Sequence, residues 1–177
     1  LQQANQRLAA LSVEDGLTGV YNRRYLDARI EEEVSRAERS GAPLALLIVD
    51  IDRFKAYNDA YGHTSGDQSL KHVAGALDGA VNRVADCVAR YGGEEFCILL
   101  PQTEIDGAQA VATRVMKAIA DLAIRHEASD IAEHLTVSVG ICAWTPKSGM
   151  KPDELLAAAD TALYRAKAAG RNRIELC

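Results

Sequence analysis

Residues 44–51, Leu-Ala-Leu-Leu-Ile-Val-Asp-Ile, constrain this chain more than any other stretch. A run that is apolar at alternate and at successive positions has no face to offer to water. It reads as a central strand covered on both sides, or as one in a crowded sheet. The run ends in Asp50-Ile51-Asp52. An acid at the end of a buried strand is either a helix N-cap or a metal ligand.

A second constraint lies further on. Two short strand-like runs, Cys87–Ala89 and Phe96–Leu100, are joined through Arg90-Tyr91-Gly92-Gly93-Glu94-Glu95. Gly-Gly between such runs reads as a β-hairpin, because glycine visits positive φ without steric cost. A plain hairpin has no need of two adjacent carboxylates after its glycines. They are either solvated turn residues or half of a site in which a metal or a polyphosphate shares their charge.

The remaining segments supply helices. Residues 1–12 place Leu1, Ala4, Leu8 and Leu11 at coiled-coil spacing, under two heptads, as for the end of a longer helix from an upstream module. A glycine-punctuated turn over Asp15–Arg24 leads into a helix from about Asn22, ended by Gly41 and Pro43. A helical stretch over Arg53–Tyr61 is followed by a loop over Gly62–Asp67. A helix with Leu70, Val73, Leu77 and Val81 inward comes next. After the hairpin come a long helix over 104–125, an alternating strand Leu135–Trp144, a last helix opened by Pro152 and capped by Gly170, and a closing strand Arg173–Leu176. The order α-β-α-α-β-β-α-β-α-β predicts an α/β domain with a mixed sheet of about five strands and helices packed around it.

At 177 residues this is one domain over 13–177 plus the helical stalk over 1–12. A net charge of −5 argues against a general nucleic-acid binder. An anionic substrate therefore needs placed cations or a metal. The four cysteines, Cys87, Cys97, Cys142 and Cys177, show no metal-ligand spacing and read as buried, reduced thiols of a cytoplasmic domain. No apolar run approaches the roughly 20 residues of a membrane span, and no signal peptide is evident. Beginning at Leu1 rather than methionine, the chain is expected to be a piece of something longer, whose membrane attachment the sequence leaves open.

If the strand ending in Asp50 and the turn bearing Glu94 and Glu95 are sheet neighbours, two or three carboxylates meet at one edge. Clustered hard oxygens suit Mg²⁺ or Mn²⁺ shared with substrate phosphates. Lys55 lies one turn into the following helix. Arg165, Lys167, Arg171 and Arg173 make the C-terminus basic, either to complement a helix dipole or to meet the same anions. Together these parts read as metal-assisted phosphoryl or nucleotidyl transfer.

Five ordered motifs carry a resemblance over residues 15–176. Asp15–Arg24 reads D-x-L-T-x-V-x-N-R-R, with Val20 where leucine is usual. Asp50–Asp67 reads D-x-D-x-F-K-x-x-N-D-x-x-G-H-x-x-G-D, and Arg90–Phe96 reads R-Y-G-G-E-E-F. Ser138–Ile141 is S-V-G-I, and Ala159–Asn172 is A-D-x-A-L-Y-x-A-K-x-x-G-R-N. In these the chain resembles the GGDEF domains of the diguanylate cyclase family. The resemblance implies a fold like the polymerase palm and the nucleotide cyclases. It implies a reaction in which two domains meet face to face, each with one GTP, to form cyclic di-GMP and two pyrophosphates. By position, Asp50, the Ile51 carbonyl and Glu94 match metal ligands, with two Mg²⁺ or Mn²⁺ per half-site, and Glu95 is a further acid within reach. Glu94 matches the acceptor of the 3′-hydroxyl proton, shared with the metal. Lys55 matches the residue that stabilises transition-state charge. Asn58 and Asp67 match guanine contacts, His63 another nucleotide contact, and Lys167 and Arg171 the phosphate pair. Arg83 and Asp86, five residues upstream of the glycines, match an inhibitory R-x-x-D site for the product cyclic di-GMP, to which Arg114 adds a second arginine. The implied partners are GTP, cyclic di-GMP, a second copy meeting through the catalytic face and the N-terminal helix, and an upstream sensor module, with no nucleic acid. The alternative is a catalytically silent domain that binds GTP or cyclic di-GMP and signals by contact.

Overall fold

The computed structural model describes residues 12–148, 150, 151 and 153–177. The seam expected over residues 1–12 lies outside the described residues, apart from Ser12, which is not helical. Pro152, expected to open the last helix, lies outside them too. At the centre is β2 (Leu44–Ile51), with all eight residues buried. Its double-sided apolarity has a simple cause: it is paired on both edges and covered on both faces. It runs antiparallel to β4 (Glu95–Pro101) on one side and to β5 (Val137–Trp144) on the other. Beyond β4 lie β3 (Cys87–Gly92) and β1 (Tyr21–Asn22), and β6 (Ile174–Leu176) runs parallel to β5. The order β1-β3-β4-β2-β5-β6 makes a mixed sheet of six strands. The strand beyond the expected set is β1, two residues that are too few to show a period.

Among the described residues, five helices cover the sheet: α1 (Arg23–Ser40), α2 (Phe54–Tyr61), α3 (His63–Ala80), α4 (Ile105–Asp121) and α5 (Glu154–Ala168). Alternation along β2 sorts them into two layers. Ala45, Leu47, Val49 and Ile51 pack with α2, α3 and α4, whereas Leu44, Leu46 and Ile48 pack with α1 and α5. Burying each Leu, Ile or Val of β2 contributes about 1.5–3 kcal/mol, so the central strand adds substantially to stability. Local chemistry sets the bounds of α1. The Asn22 side chain accepts from the Tyr25 N–H at its start, and Gly41, at φ 72°, closes its end on the Ala37 carbonyl.

Gly140 explains how closely α5 lies on β5. A Cβ there would stand 2.2 Å from the Ala159 carbonyl oxygen and 2.3 Å from the Leu163 nitrogen, so helix and strand meet backbone to backbone. Two sequence expectations need correction. The segment 62–67 is not a loop, because α3 begins at His63, directly after Gly62 at φ 82°. Its second glycine, Gly66, serves contact rather than a turn: a Cβ there would lie 1.9 Å from the Asn58 Oδ1. The cysteines are also not all free. Cys142 and Cys177 form a disulfide across the parallel β5–β6 edge, where the Cys177 N–H bonds to the Ile141 carbonyl at 2.8 Å. Pairing through sheet register leaves no trace in a linear separation of 35 residues. Cys87 and Cys97 remain buried free thiols, and burial pushes the first up to about 11 and the second higher still. None of the described helices is long and apolar enough to cross a membrane.

Candidate functional site

The acids converge because of strand register. Asp50 stands opposite Glu95 on β4 and opposite Ser138 on β5, and the Ile51 N–H reaches the Glu94 carbonyl at 3.3 Å. The hairpin that carries Glu94 is fixed from outside. Gly93 takes φ 53°, and the Arg90 guanidinium donates to the Gly93 carbonyl at 2.8 and 2.9 Å. Arg90 also pairs with Asp15 at 3.2 Å, which ties the first turn of the domain to the glycine turn.

Asp50 is 6% exposed, and its Oδ2 lies 2.8 Å from Lys167 Nζ on α5. Burial pushes its carboxyl from 3.8 up to about 6. Lys167 opposes that shift, and the nearby charges of Glu94 and Glu95 reinforce it. A buried acid held so high among other acids is a place where extra positive charge is favoured. Asp50, Ile51, Lys55, Glu94, Lys167 and Arg171 line one open cleft of about 380 Å³. Arg53 and Asp59 line it too, and the motifs had given neither a role. Glu95 touches the cleft through its charge on Asp50 rather than as a wall.

Asp52, two residues on, is not part of that cleft. Fully enclosed, it accepts from the Thr136 hydroxyl at 2.8 Å, the Ser138 hydroxyl at 2.7 Å and the Asn172 N–H at 3.0 Å. Neither Asp50 nor Asp52 is an N-cap of α2. That helix starts after Arg53, which adopts a left-handed backbone and leaves the end without a side-chain cap. The choice between cap and ligand thus resolves differently for each acid: Asp50 faces the cleft, and Asp52 knots β2, β5 and the turn after α5 together. Ser138, which opens the S-V-G-I motif without an assigned role, donates its hydroxyl to that knot.

The expected nucleotide residues sit elsewhere. Asn58, near the end of α2, presses on Gly66 of α3, and its buried Oδ1 has no hydrogen-bond partner. His63 and Asp67 are exposed on the first turns of α3. Of the three, the exposed Asp67 carboxylate is open to N–H donors from a ligand edge. A third locus gathers Arg83, Asp86 and Arg114. Arg83 pairs with Asp86 at 3.0 Å, donates to the Pro101 carbonyl at 3.1 Å and bonds the Thr103 hydroxyl. Arg114 on α4 donates to the Ala80 carbonyl at the end of α3. Arg83 is half exposed, and Val84 beside it is wholly exposed.

Among the described residues, no three His, Cys, Asp or Glu side chains stand together as a closed metal cage. The donor set nevertheless fits a hard divalent cation. Asp50 and Glu94 offer carboxylate oxygens on one cleft, and a cation of this class commonly completes its shell with water and substrate phosphate.

The family described as "Diguanylate cyclase, GGDEF domain" matches residues 12–173. The chain is 42% identical over 172 residues to the diguanylate cyclase DgcP of Pseudomonas aeruginosa, covering 97% of this chain and 25% of that protein. It is 38% identical over 164 residues to the response regulator PleD of Caulobacter vibrioides, covering 93% and 36%. Against these curated relatives it spans between a quarter and two fifths of their length. Among solved structures, the diguanylate cyclase SiaD of Pseudomonas aeruginosa, in complex with its activator SiaC, aligns with a TM-score of 0.84 at 37% identity, covering 99% of this chain and 66% of that one. The coiled coil and GGDEF domain of DgcB from Caulobacter crescentus, in complex with c-di-GMP, aligns at 0.85 and 28% identity, covering 99% and 91%.

Proposed function

The chain belongs to the GGDEF domain family of diguanylate cyclases, and from that premise we propose that it condenses two GTP into cyclic di-GMP and two pyrophosphates, each copy holding one GTP and two copies closing face to face. The observation that carries this reading is the Asp50–Lys167 contact, which sits within a cleft also lined by Glu94, Lys55 and Arg171. Acids for a metal and cations for phosphates share one wall-to-wall space.

Asp50, the Ile51 carbonyl and Glu94 would hold Mg²⁺ or Mn²⁺, two ions per half-site. When bound, the metal polarises the phosphate and lowers the pKa of the attacking hydroxyl. The chain's own groups do the rest. Glu94 accepts the 3′-hydroxyl proton, and Glu95 adds negative potential behind it. Lys55 faces the charge that grows on the transferring phosphoryl group. Lys167 can exchange Asp50 for a phosphate oxygen once that carboxylate is neutralised in another way, and Arg171 binds the same phosphates. The Asp67 carboxylate accepts from guanine N1–H and N2–H₂, with Asn58 as the further guanine contact and His63 on the nucleotide side. Adenine lacks that pair of donors, so GTP is selected.

Product feedback belongs to the Arg83–Asp86 turn. Both side chains already form an ion pair beside exposed Val84, and Arg114 approaches from α4. Cyclic di-GMP bound there holds two domains apart. Residues 1–12, read from the sequence as the end of a helix from a sensor module, would set how often two copies meet.

The test is to incubate the chain with GTP and MgCl₂ at several protein concentrations and to identify the product by mass. Cyclic di-GMP, with specific activity rising with concentration, is expected. Glu94→Ala should abolish it while leaving the far-ultraviolet circular dichroism unchanged. GTP binding without any product would instead support a silent signalling module.

A further inference from the structure

Residues 123–134, between α4 and β5, frame a depression of about 900 Å³ and take no part in the reading above. This segment nevertheless grips α2 at three points. Asp130 closes a two-pronged ion pair on Arg53, Oδ1 to Nε at 2.7 Å and Oδ2 to Nη2 at 2.6 Å. His126 is fully buried, with its Nε2 at 3.2 Å from the Arg53 carbonyl. A carbonyl can only accept, so this nitrogen carries the proton; the other ring nitrogen has no partner. The same ring meets Tyr57 edge-on at 5.2 Å, and the Glu127 N–H donates to the Tyr61 hydroxyl at 2.9 Å. Arg53, Tyr57 and Tyr61 mark the start, middle and end of α2.

That helix has reason to need outside support. Eight residues are too few to be a stable helix alone, and no side chain caps its start. Arg53, which aims it, sits at φ 57° and ψ 28°, a conformation uncommon for a residue with a side chain. Yet α2 carries Lys55 into the cleft beside Asp50 and Glu94. We propose that the 126–130 segment is a positioning strap that fixes the entry angle and rotation of α2 and so holds Lys55 against the cleft. Its catalytic consequence rests on the cyclase reading; its structural consequence does not.

The ion pair is exposed, Arg53 at 37% and Asp130 at 64%, so it should add little to global stability. That separates positioning from folding. Asp130→Ala in the full chain should leave the melting temperature within about 2 °C of wild type. Hydrogen exchange of the 57–62 amides, whose N–H groups are bonded within the helix, should speed about fivefold or more. Turnover of GTP should fall about tenfold in kcat, with KM within about twofold, because the lost interaction is one of alignment. Asp130→Glu should recover part of kcat. Arg53→Ala and the double variant should fall to one common level. Unchanged exchange in α2 would overturn the strap, and faster exchange with unchanged kcat would overturn its catalytic role. A wild-type chain that makes no cyclic di-GMP would sink the cyclase reading instead, leaving the exchange data to decide the strap.

Discussion

Asp50→Asn should make the metal-free domain more stable at neutral pH, even though it removes a site acid. The Asp50 carboxyl moves from 3.8 to about 6 on folding, chiefly because it is buried. A pKa raised in the folded state means that the folded state prefers the protonated form. The associated stability is fully present below 3.8 and is lost as pH rises through about 6. A rise of roughly two units, at about 1.4 kcal/mol per unit, sets a penalty of about 3 kcal/mol at pH 7.5. Asparagine carries no charge to desolvate and escapes it. Lys167 loses its partner but is one-third exposed, so it can turn to solvent at small cost. At about 2–4 °C per kcal/mol for a chain of this size, the variant should melt about 6–12 °C higher at pH 7.5. Thermal melts in EDTA-containing buffers from pH 3.5 to 8 would show the two proteins converging at the acid end. A pH-independent difference, or a less stable variant at pH 7.5, would show that the Lys167 contact outweighs the desolvation argument. Cyclic di-GMP formation should be lost in the same variant.

Gly140→Ala would place a methyl group 2.2 Å from the Ala159 carbonyl, with backbone on both sides and nothing flexible to yield. A loss of about 3 kcal/mol or more in urea unfolding is expected, and a change under about 0.5 kcal/mol would refute the backbone-to-backbone contact. Arg83→Ala should move product inhibition to cyclic di-GMP concentrations about tenfold higher or beyond, with basal turnover unchanged. An unaltered inhibition curve would remove the Arg83–Asp86 turn from regulation.

The parts of the fold that the sequence makes legible are those whose chemistry is local. The two-sided apolarity of Leu44–Ile51 can only belong to a central strand, and the Gly92-Gly93 pair announces its hairpin. Their adjacency is the condition on which the shared acidic edge depends, and Asp50 does face Glu95. What stayed hidden is long-range. Gly66 looks like loop punctuation because a close approach by Asn58, from the neighbouring helix, has no signal of its own. The Cys142–Cys177 pairing depends on β6 lying parallel to β5. Arg53 and Asp130 are separated by 77 positions, and nothing in either one's neighbourhood marks the other. Asp52 reads as a twin of Asp50, but its three donors come from Thr136, Ser138 and Asn172, so only the folded sheet reveals it as structural.

The two acids at the end of β2 also guard the fold against its most damaging error. Asp50 and Asp52 follow Leu44, Leu46 and Ile48 on the alternating face that turns toward α5, where Lys167 and Asn172 meet them. Sliding β2 by one residue against its neighbours would exchange its faces and drive both carboxylates into the apolar layer under α3 and α4. An unpaired carboxylate buried there would cost several kcal/mol, more than a strand of interchangeable aliphatic residues would forfeit by slipping. A strand so uniformly apolar would otherwise pair almost equally well in either register. The acids that make the cleft also make the misregistered sheet intolerable.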